Sequence, residues 1–256
     1  MEISGRDCVI CTLQEDGEFW ELRVIPREKH SVLQNIYVGQ VENISPNMNA
    51  AFVRISPAER CFFPLKEEPY LIYACEKKQG SSLKNGDQIL VQVKKEAMKG
   101  KLATVTARLS IAGRYLAVTT GEKEIGISQK LPEESRENLK NEVVPILCER
   151  YSDSFGIVLR TNAASAEPSV IVSEAEKLAE QISRIRDQGV HRTLYSCLYE
   201  PEREEIAFVR DFFRAGQTGI VTDLPDVYMD VLNSANADNQ LRLYDDPLLP
   251  LYRNYP

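Results

Sequence analysis

Cys8 and Cys11 have the spacing of half a zinc site. They lie inside the strand-like run Cys8-Val9-Ile10-Cys11-Thr12-Leu13 with no second Cys or His pair near them, so a zinc ion there would lack half its ligands. Asp7, Glu21 and Asp223 are carboxylates of the kind a two-metal nuclease gathers at strand ends, but their spacing forms no recognisable signature. His30 and His191 stand apart from any Ser or Cys nucleophile motif, and no glycine-rich phosphate loop is present. What remains is anion chemistry. Lys94, Lys95, Lys99 and Lys101 crowd one short stretch, which reads either as a phosphate-binding patch or as an ordinary solvated face.

The charge distribution sharpens that choice without deciding it. Across 256 residues the formal net charge is -7, which argues against a protein that coats nucleic acid indiscriminately, since phosphate contacts need Lys and Arg. Residues 35–111, however, carry eleven basic against seven acidic side chains, a net +4 that leaves -11 on the remainder. With 43% hydrophobic and 27% charged residues the composition is that of a soluble globular protein, and no apolar run approaches the roughly 20 residues of a membrane span. The polar start Met1-Glu2-Ile3-Ser4-Gly5-Arg6-Asp7 is unlike a secretory signal, which places the protein in the cytoplasm, where its six cysteines stay as thiols.

Several short elements must position these groups. Two apolar runs, 8–13 and 19–25, joined by Glu15-Asp16-Gly17, predict an antiparallel hairpin too small to be stable alone. Strand-like runs at 37–44, 50–55, 61–64, 88–93 and 103–109 predict a small barrel. From Ala112 onward, strands at 115–119 and 156–160 with a polar helix at 133–142 read as a small α+β unit. A further helix is expected to start at Ser173 as N-cap, with Glu176 completing a capping box, Leu178, Ile182 and Ile185 forming its apolar stripe, and Gly189 just past its last turn. The tail alternates helix 202–214, strand 219–222, helix 225–232 and strand 240–244, an α/β layer. The simplest completion puts the hairpin and this tail in one sheet, with the middle of the chain inserted.

Asn35-Ile36-Tyr37-Val38-Gly39-Gln40-Val41, followed by Ala50-Ala51-Phe52-Val53 and Phe62-Phe63-Pro64-Leu65-Lys66-Glu67, resembles the opening of the ribonuclease E/G family, including the spacing between blocks. The likeness continues through Gln92-Val93-Lys94-Lys95-Glu96, Lys99-Gly100-Lys101-Leu102-Ala103-Thr104 and Leu109-Ser110-Ile111-Ala112-Gly113-Arg114-Tyr115-Leu116, then Gly126-Ile127-Ser128, Leu159-Arg160-Thr161 and Leu243-Tyr244. It implies an α+β, multidomain fold: an RNase H-like domain at 1–34 and 191–256, interrupted by an OB-fold RNA-binding barrel at 35–111 and a 5′-sensor at 112–190. It also implies a magnesium-dependent endoribonuclease whose catalytic carboxylates and subunit-bridging zinc cysteines would follow Asp246-Pro247-Leu248-Leu249-Pro250. On that basis no catalytic residue, metal or cofactor is expected in these residues, and an oligomer is not expected without the zinc link.

Carried over residue by residue, the resemblance assigns Phe52 and Phe62 to base stacking, and Lys95 and Lys101 to the RNA path. Gly113, Arg160 and Thr161 would form a 5′-monophosphate pocket, a guanidinium fork with a hydroxyl and closely approaching backbone. The family's RNase H-like layer is structural, so Asp7, Glu21 and Asp223 gain no role from it. Without the resemblance Phe52 reads as core and Arg160-Thr161 as a surface dipeptide. A departure falls after Val53, where Ile55-Ser56-Pro57 stands in place of the family's glycine with an aromatic or apolar residue, putting one stacking position in doubt. The expected partner is single-stranded RNA with a 5′-monophosphate, and no membrane; the alternatives are part of an active magnesium-dependent endoribonuclease, and an interaction scaffold that has lost RNA binding.

Overall fold

The N-terminal apolar runs form strands as their spacing predicts. In the computed structural model β1 (Glu2–Ile3), β2 (Arg6–Glu15) and β3 (Glu18–Pro26) make an antiparallel three-stranded sheet. The structure describes residues 2–3, 6–16, 18–27, 31–74, 82–213, 219–234 and 240–254; Gly17, His30, Lys77, Lys78 and Arg214 lie outside them. Val9 pairs with Ile25 and Cys11 with Arg23 on the face that turns to a later helix, while Trp20, Leu22 and Val24 stay exposed.

The barrel consists of β4 (Ile36–Ser45), β5 (Ala50–Arg54), β6 (Arg60–Pro64), β7 (Gln88–Lys95) and β8 (Ala103–Thr106). Its neighbours run β4-β5-β6-β8-β7, parallel only at β6–β8, and β4 pairs with β7 to close it. Ala51, Val53, Cys61, Phe63, Ile89, Val91, Val93 and Val105 fill the interior. Ile36, Val38 and Leu90, on the opposite faces of β4 and β7, enter a second core instead. Covered on both sides, these two strands read in the sequence as nearly unbroken apolar runs rather than alternating ones.

That second core belongs to a four-stranded sheet, β9 (Ser110–Ala112), β10 (Leu116–Thr119), β11 (Ile125–Ile127) and β12 (Gly156–Leu159), ordered β11-β12-β10-β9. It is covered by α1 (Glu133–Glu142), α2 (Val144–Tyr151) and α3 (Pro168–Gly189), the last lying along β10. Gln92 ties the two sheets: its buried side-chain amide donates to the carbonyls of Gln34 and Ser110 at 2.9 and 2.8 Å and accepts from Ser110 N at 2.7 Å. A buried amide satisfied this fully holds one geometry, because any shift leaves a polar group without a partner.

The start of α3 differs from the expected one. The helix begins at Pro168, five residues before Ser173, with extended Glu167 preceding it. Proline fits the first helical position, where its missing N–H is no loss, and Ile171, Val172 and Ala175 extend the buried stripe of Leu178, Ile182 and Ile185 upstream. Ser173 is exposed inside the helix, and Glu176 pairs with Arg150 instead of closing a capping box. Gly189 is the last helical residue, not a left-handed cap. A β-carbon there would meet Leu198 at 2.7 Å and Leu90 at 2.8 Å, so close packing explains the glycine. After α3 the short β13 (Cys197–Tyr199) pairs with β4.

Residues 1–30 and 202–256 form one compact unit, and residues 31–201 the other. In the first, α4 (Glu204–Phe212) packs on β2, with the Arg23 guanidinium over the rings of Phe208 and Phe212 at 5.2 and 5.7 Å. Then follow β14 (Ile220–Thr222), α5 (Pro225–Ser234), β15 (Leu241–Leu243) and a short α6 (Leu251–Asn254). The expected single sheet is not formed: among the described residues β14 pairs only with β15, in parallel, and the hairpin sheet stands separately. Packing and ion pairs join the parts instead. No helix among the described residues is long and apolar enough to cross a membrane.

Asp226 of α5 is the centre of those ion pairs, accepting from Arg203 Nη1 at 2.9 Å and from Arg27 Nη2 at 3.0 and 2.9 Å. The Arg203 bond first, then the Arg27 bond, hold its carboxyl at about 2 against burial, below the ordinary 3.8. A depressed folded-state value stabilises the fold above about 3.8, and this contribution is lost as the pH falls toward 2. Both side chains are more than two-fifths exposed, so solvent screening limits the effect to at most about 1 kcal/mol. Asp226→Asn is therefore expected to lower the urea midpoint at pH 7 and to differ less from the parent at pH 3; an equal deficit at both would show that charge is not the cause.

Candidate nucleic-acid interface

Alternation along β5 and β6 turns Ala51, Val53, Cys61 and Phe63 into the barrel and leaves Phe52 and Phe62 on its outer face, both partly exposed. Register makes them direct neighbours: Phe52 pairs with Phe62, and their rings meet edge to face at a centroid distance of 6.5 Å. Phe62 pairs in turn with Thr104 on β8, and Thr104 with Lys95 on β7 across a bulge; on the other side Phe52 pairs with Asn43. One cross-strand row therefore carries Asn43, Phe52, Phe62, Thr104 and Lys95. Lys101 lies on the adjoining hairpin tip, where it pairs with Met98, and Lys94, Lys95, Lys99 and Lys101 are all exposed.

One step along the same face, Arg54 on β5 stands opposite Arg60 on β6. Two guanidiniums in register repel, and Glu42 of β4 lies between them. Its Oε1 accepts from Arg54 Nε and Nη2 at 2.9 and 2.7 Å, while Oε2 lies 2.9 Å from Arg60 Nε, off the line of a hydrogen bond. The Arg54 bond, against a small burial cost, holds the Glu42 carboxyl below the usual carboxylate range, so it stays ionised. Arg60 also places its guanidinium 4.2 Å from the centre of the Phe52 ring. The altered loop is closed from within: Arg54 Nη1 donates to Pro57 O at 2.9 Å, Ser56 Oγ accepts from Glu59 N at 3.0 Å, and Ile55 is buried in the barrel.

The second group converges at the end of β12. Arg160 Nη1 donates to the carbonyl of Gly113, its backbone N–H donates to Tyr115 O at 2.7 Å, and Thr161 follows, exposed, in a 3-10 turn. The space beside Gly113 is filled. A β-carbon there would lie 2.5 Å from Glu174 Cδ, because the Glu174 carboxylate of α3 accepts from the backbone N–H groups of Arg114, Tyr115 and Leu116 at 2.8, 2.7 and 3.1 Å. Successive amides aimed at one point make an anion nest, and a carboxylate of the chain occupies this one. The structure thus joins Gly113 and Arg160 through a carbonyl, with the backbone approach taken by Glu174.

The other candidates are not drawn together. Among the described residues no three His, Cys, Asp or Glu side chains form a metal-holding group, Asp7, Glu21 and Asp223 included. Cys11, partly buried near Glu205, has its thiol pushed up to about 11, chiefly by burial. Cys11, Cys61, Cys148 and Cys197 are free thiols, and burial pushes Cys61 up to about 12. Sequence reasoning missed Arg60, Thr104 and Glu174. Arg60 precedes Phe62 by two residues, a strand spacing that places both on one face; Glu174, some sixty residues from its partners, left no local signal.

Replacing Glu174 by alanine leaves three backbone donors without their charged acceptor, and is expected to destabilise the chain by about 2–4 kcal/mol. Ser173→Ala, one position earlier on the exposed face, should change stability by less than about 0.5 kcal/mol. Denaturant unfolding of both variants checks this. A large loss at Ser173 would restore it as a cap, and none at Glu174 would show the nest satisfied by water.

Comparison with known proteins identifies the family. Residues 110–254 match the Ribonuclease E/G family, more than half of the chain. A Buchnera aphidicola protein provisionally named ribonuclease E is 26% identical over 254 residues, 93% of this chain and 61% of that protein. Ribonuclease E of Haemophilus influenzae is 24% identical over 234 residues, 86% of this chain and 24% of its own length. Ribonuclease G of Escherichia coli K12 is 26% identical over 184 residues, 68% and 37%. The chain thus spans between about a quarter and three-fifths of the length of these relatives. With the likeness running through both the barrel and the sheet that follows it, the chain belongs to the Ribonuclease E/G family.

Proposed function

We propose that these residues are the RNA-binding and 5′-monophosphate-sensing portion of a ribonuclease E/G-type endoribonuclease of cytoplasmic RNA processing and decay, and that they hold single-stranded RNA without cutting it. The observation that carries this is the outward pair Phe52 and Phe62. Partly exposed rings side by side on a barrel whose neighbouring apolar residues are buried have a use in stacking bases, and none in the core. Lys95 at the end of the row, and Lys101 beside it, supply point charges for the phosphates.

For the 5′ end the reading places the monophosphate against Arg160 and the Thr161 hydroxyl. Support comes from their adjacency at the end of β12 and from the Gly113 carbonyl, which orients the guanidinium. Gly113 then acts on Arg160 and not on the ligand, since Glu174 fills the space at its α-carbon. Cleavage is left to the rest of a family enzyme, and the RNase H-like layer is read as structural.

A fluorescent single-stranded RNA of about ten nucleotides, with a 5′-monophosphate or a 5′-hydroxyl, tests both halves when magnesium is present and the RNA is recovered for length analysis. Phe52→Ala or Phe62→Ala is expected to weaken binding of either RNA by roughly tenfold, the equivalent of one stacked base. Arg160→Ala should remove the preference for the monophosphate and leave hydroxyl binding unchanged. Equal binding of the two RNAs by the parent would discard the phosphate pocket, and shortened RNA would mean that this chain cuts.

A further inference from the structure

We propose that Arg60 is a stacking residue for a nucleobase: its guanidinium, layered on Phe52, offers a third planar surface on the barrel face, an inference that rests on the RNA reading above. Phe52 does not meet solvent with its whole ring, because Arg60 lies over it at 4.2 Å. A base reaching this position meets the outer plane of Arg60, whose side chain is 44% exposed. Arginine suits the role because its charge is delocalised over a flat, weakly hydrated group that stacks on π systems, whereas a lysine presents a compact, strongly hydrated point.

Two features separate this from an ordinary phosphate contact. Glu42 lies 2.9 Å from Arg60 Nε, so much of the charge that would attract a phosphate is already balanced, and a phosphate there would face the carboxylate as well. The ion pair is also off the line of a hydrogen bond, while the directional bonds of Glu42 go to Arg54. The Arg60 guanidinium thus lies against the Phe52 ring with no directional bond to Glu42. The segment after β5 offers no substitute ring, because Ile55 points into the barrel and Ser56 and Arg54 close the turn. Arg60 thus completes a stacking surface that this loop leaves short.

The test uses the whole chain, an oligoadenylate of about ten nucleotides, and an abasic ribose-phosphate oligomer of equal length. Arg60→Ala is expected to weaken oligoadenylate binding roughly fivefold, with Arg60→Lys staying within about twofold of that loss despite its charge. On the abasic oligomer the parent and both variants should agree within about twofold. Parental affinity restored by Arg60→Lys would overturn the proposal in favour of simple charge. Unchanged or tighter binding by Arg60→Ala would overturn it by showing that the arginine merely covers Phe52. A Phe52→Ala, Phe62→Ala double variant that binds oligoadenylate like the parent would sink the RNA reading itself, whereas its loss of binding together with an inert Arg60 would confine the failure to Arg60.

Discussion

Closure of the barrel by the antiparallel pairing of β4 with β7 is the constraint on which the rest of residues 31–201 depends. Both strands are covered on two sides, inward by the barrel core and outward by the core beneath α3, through Ile36, Val38 and Leu90. One wall of the barrel is thereby committed to packing. On the opposite wall, β5, β6 and β8, the register sets the partly exposed Phe52, Phe62 and Thr104 side by side. A slip of β5 by one residue would turn Phe52 inward and Val53 outward.

Carboxylates of an acidic chain must be kept from spoiling a basic face, and the structure engages several of those nearest to it. Glu42 is held between Arg54 and Arg60, and Glu67, buried, accepts from the Thr106 hydroxyl and pairs with Arg108. Each carboxylate tied to a guanidinium or a hydroxyl contributes less repulsion to an approaching phosphate than a free one. The lysines of the β7–β8 hairpin remain exposed. With those arginines balanced by the same pairs, the exposed lysines carry most of the positive charge on this wall.

Much of the fold was legible because its elements are locally consistent. The hairpin, the five barrel strands and helix Glu133–Glu142 stand where alternation and turn residues put them. Phe52 shows the limit of periodicity: Ala50 and Ala51 are small enough to be buried on either side of the strand, so a continuous apolar run conceals an outward ring. Only the family resemblance turned it outward. The start of α3 was misplaced because Ser173 and Glu176 imitate a cap, while Pro168 and the buried Ile171 and Val172 mark the actual start. The single sheet failed for a reason no window reveals, since which strands pair is decided by long-range packing.

Glu174 illustrates what lies beyond sequence patterns at a site. Gly113, read as backbone left bare for a ligand, does meet an oxyanion, but one supplied by the chain itself. The amides of Arg114, Tyr115 and Leu116 need a negative acceptor whether or not RNA is present, and α3 delivers it from the position after Ser173. Tying α3 to this turn also helps to fix the Gly113 carbonyl, which accepts from Arg160 Nη1. A carboxylate about sixty residues away in sequence in this way helps to position a guanidinium. Losing it would then weaken the fold and loosen the turn that carries the Gly113 carbonyl at the same time.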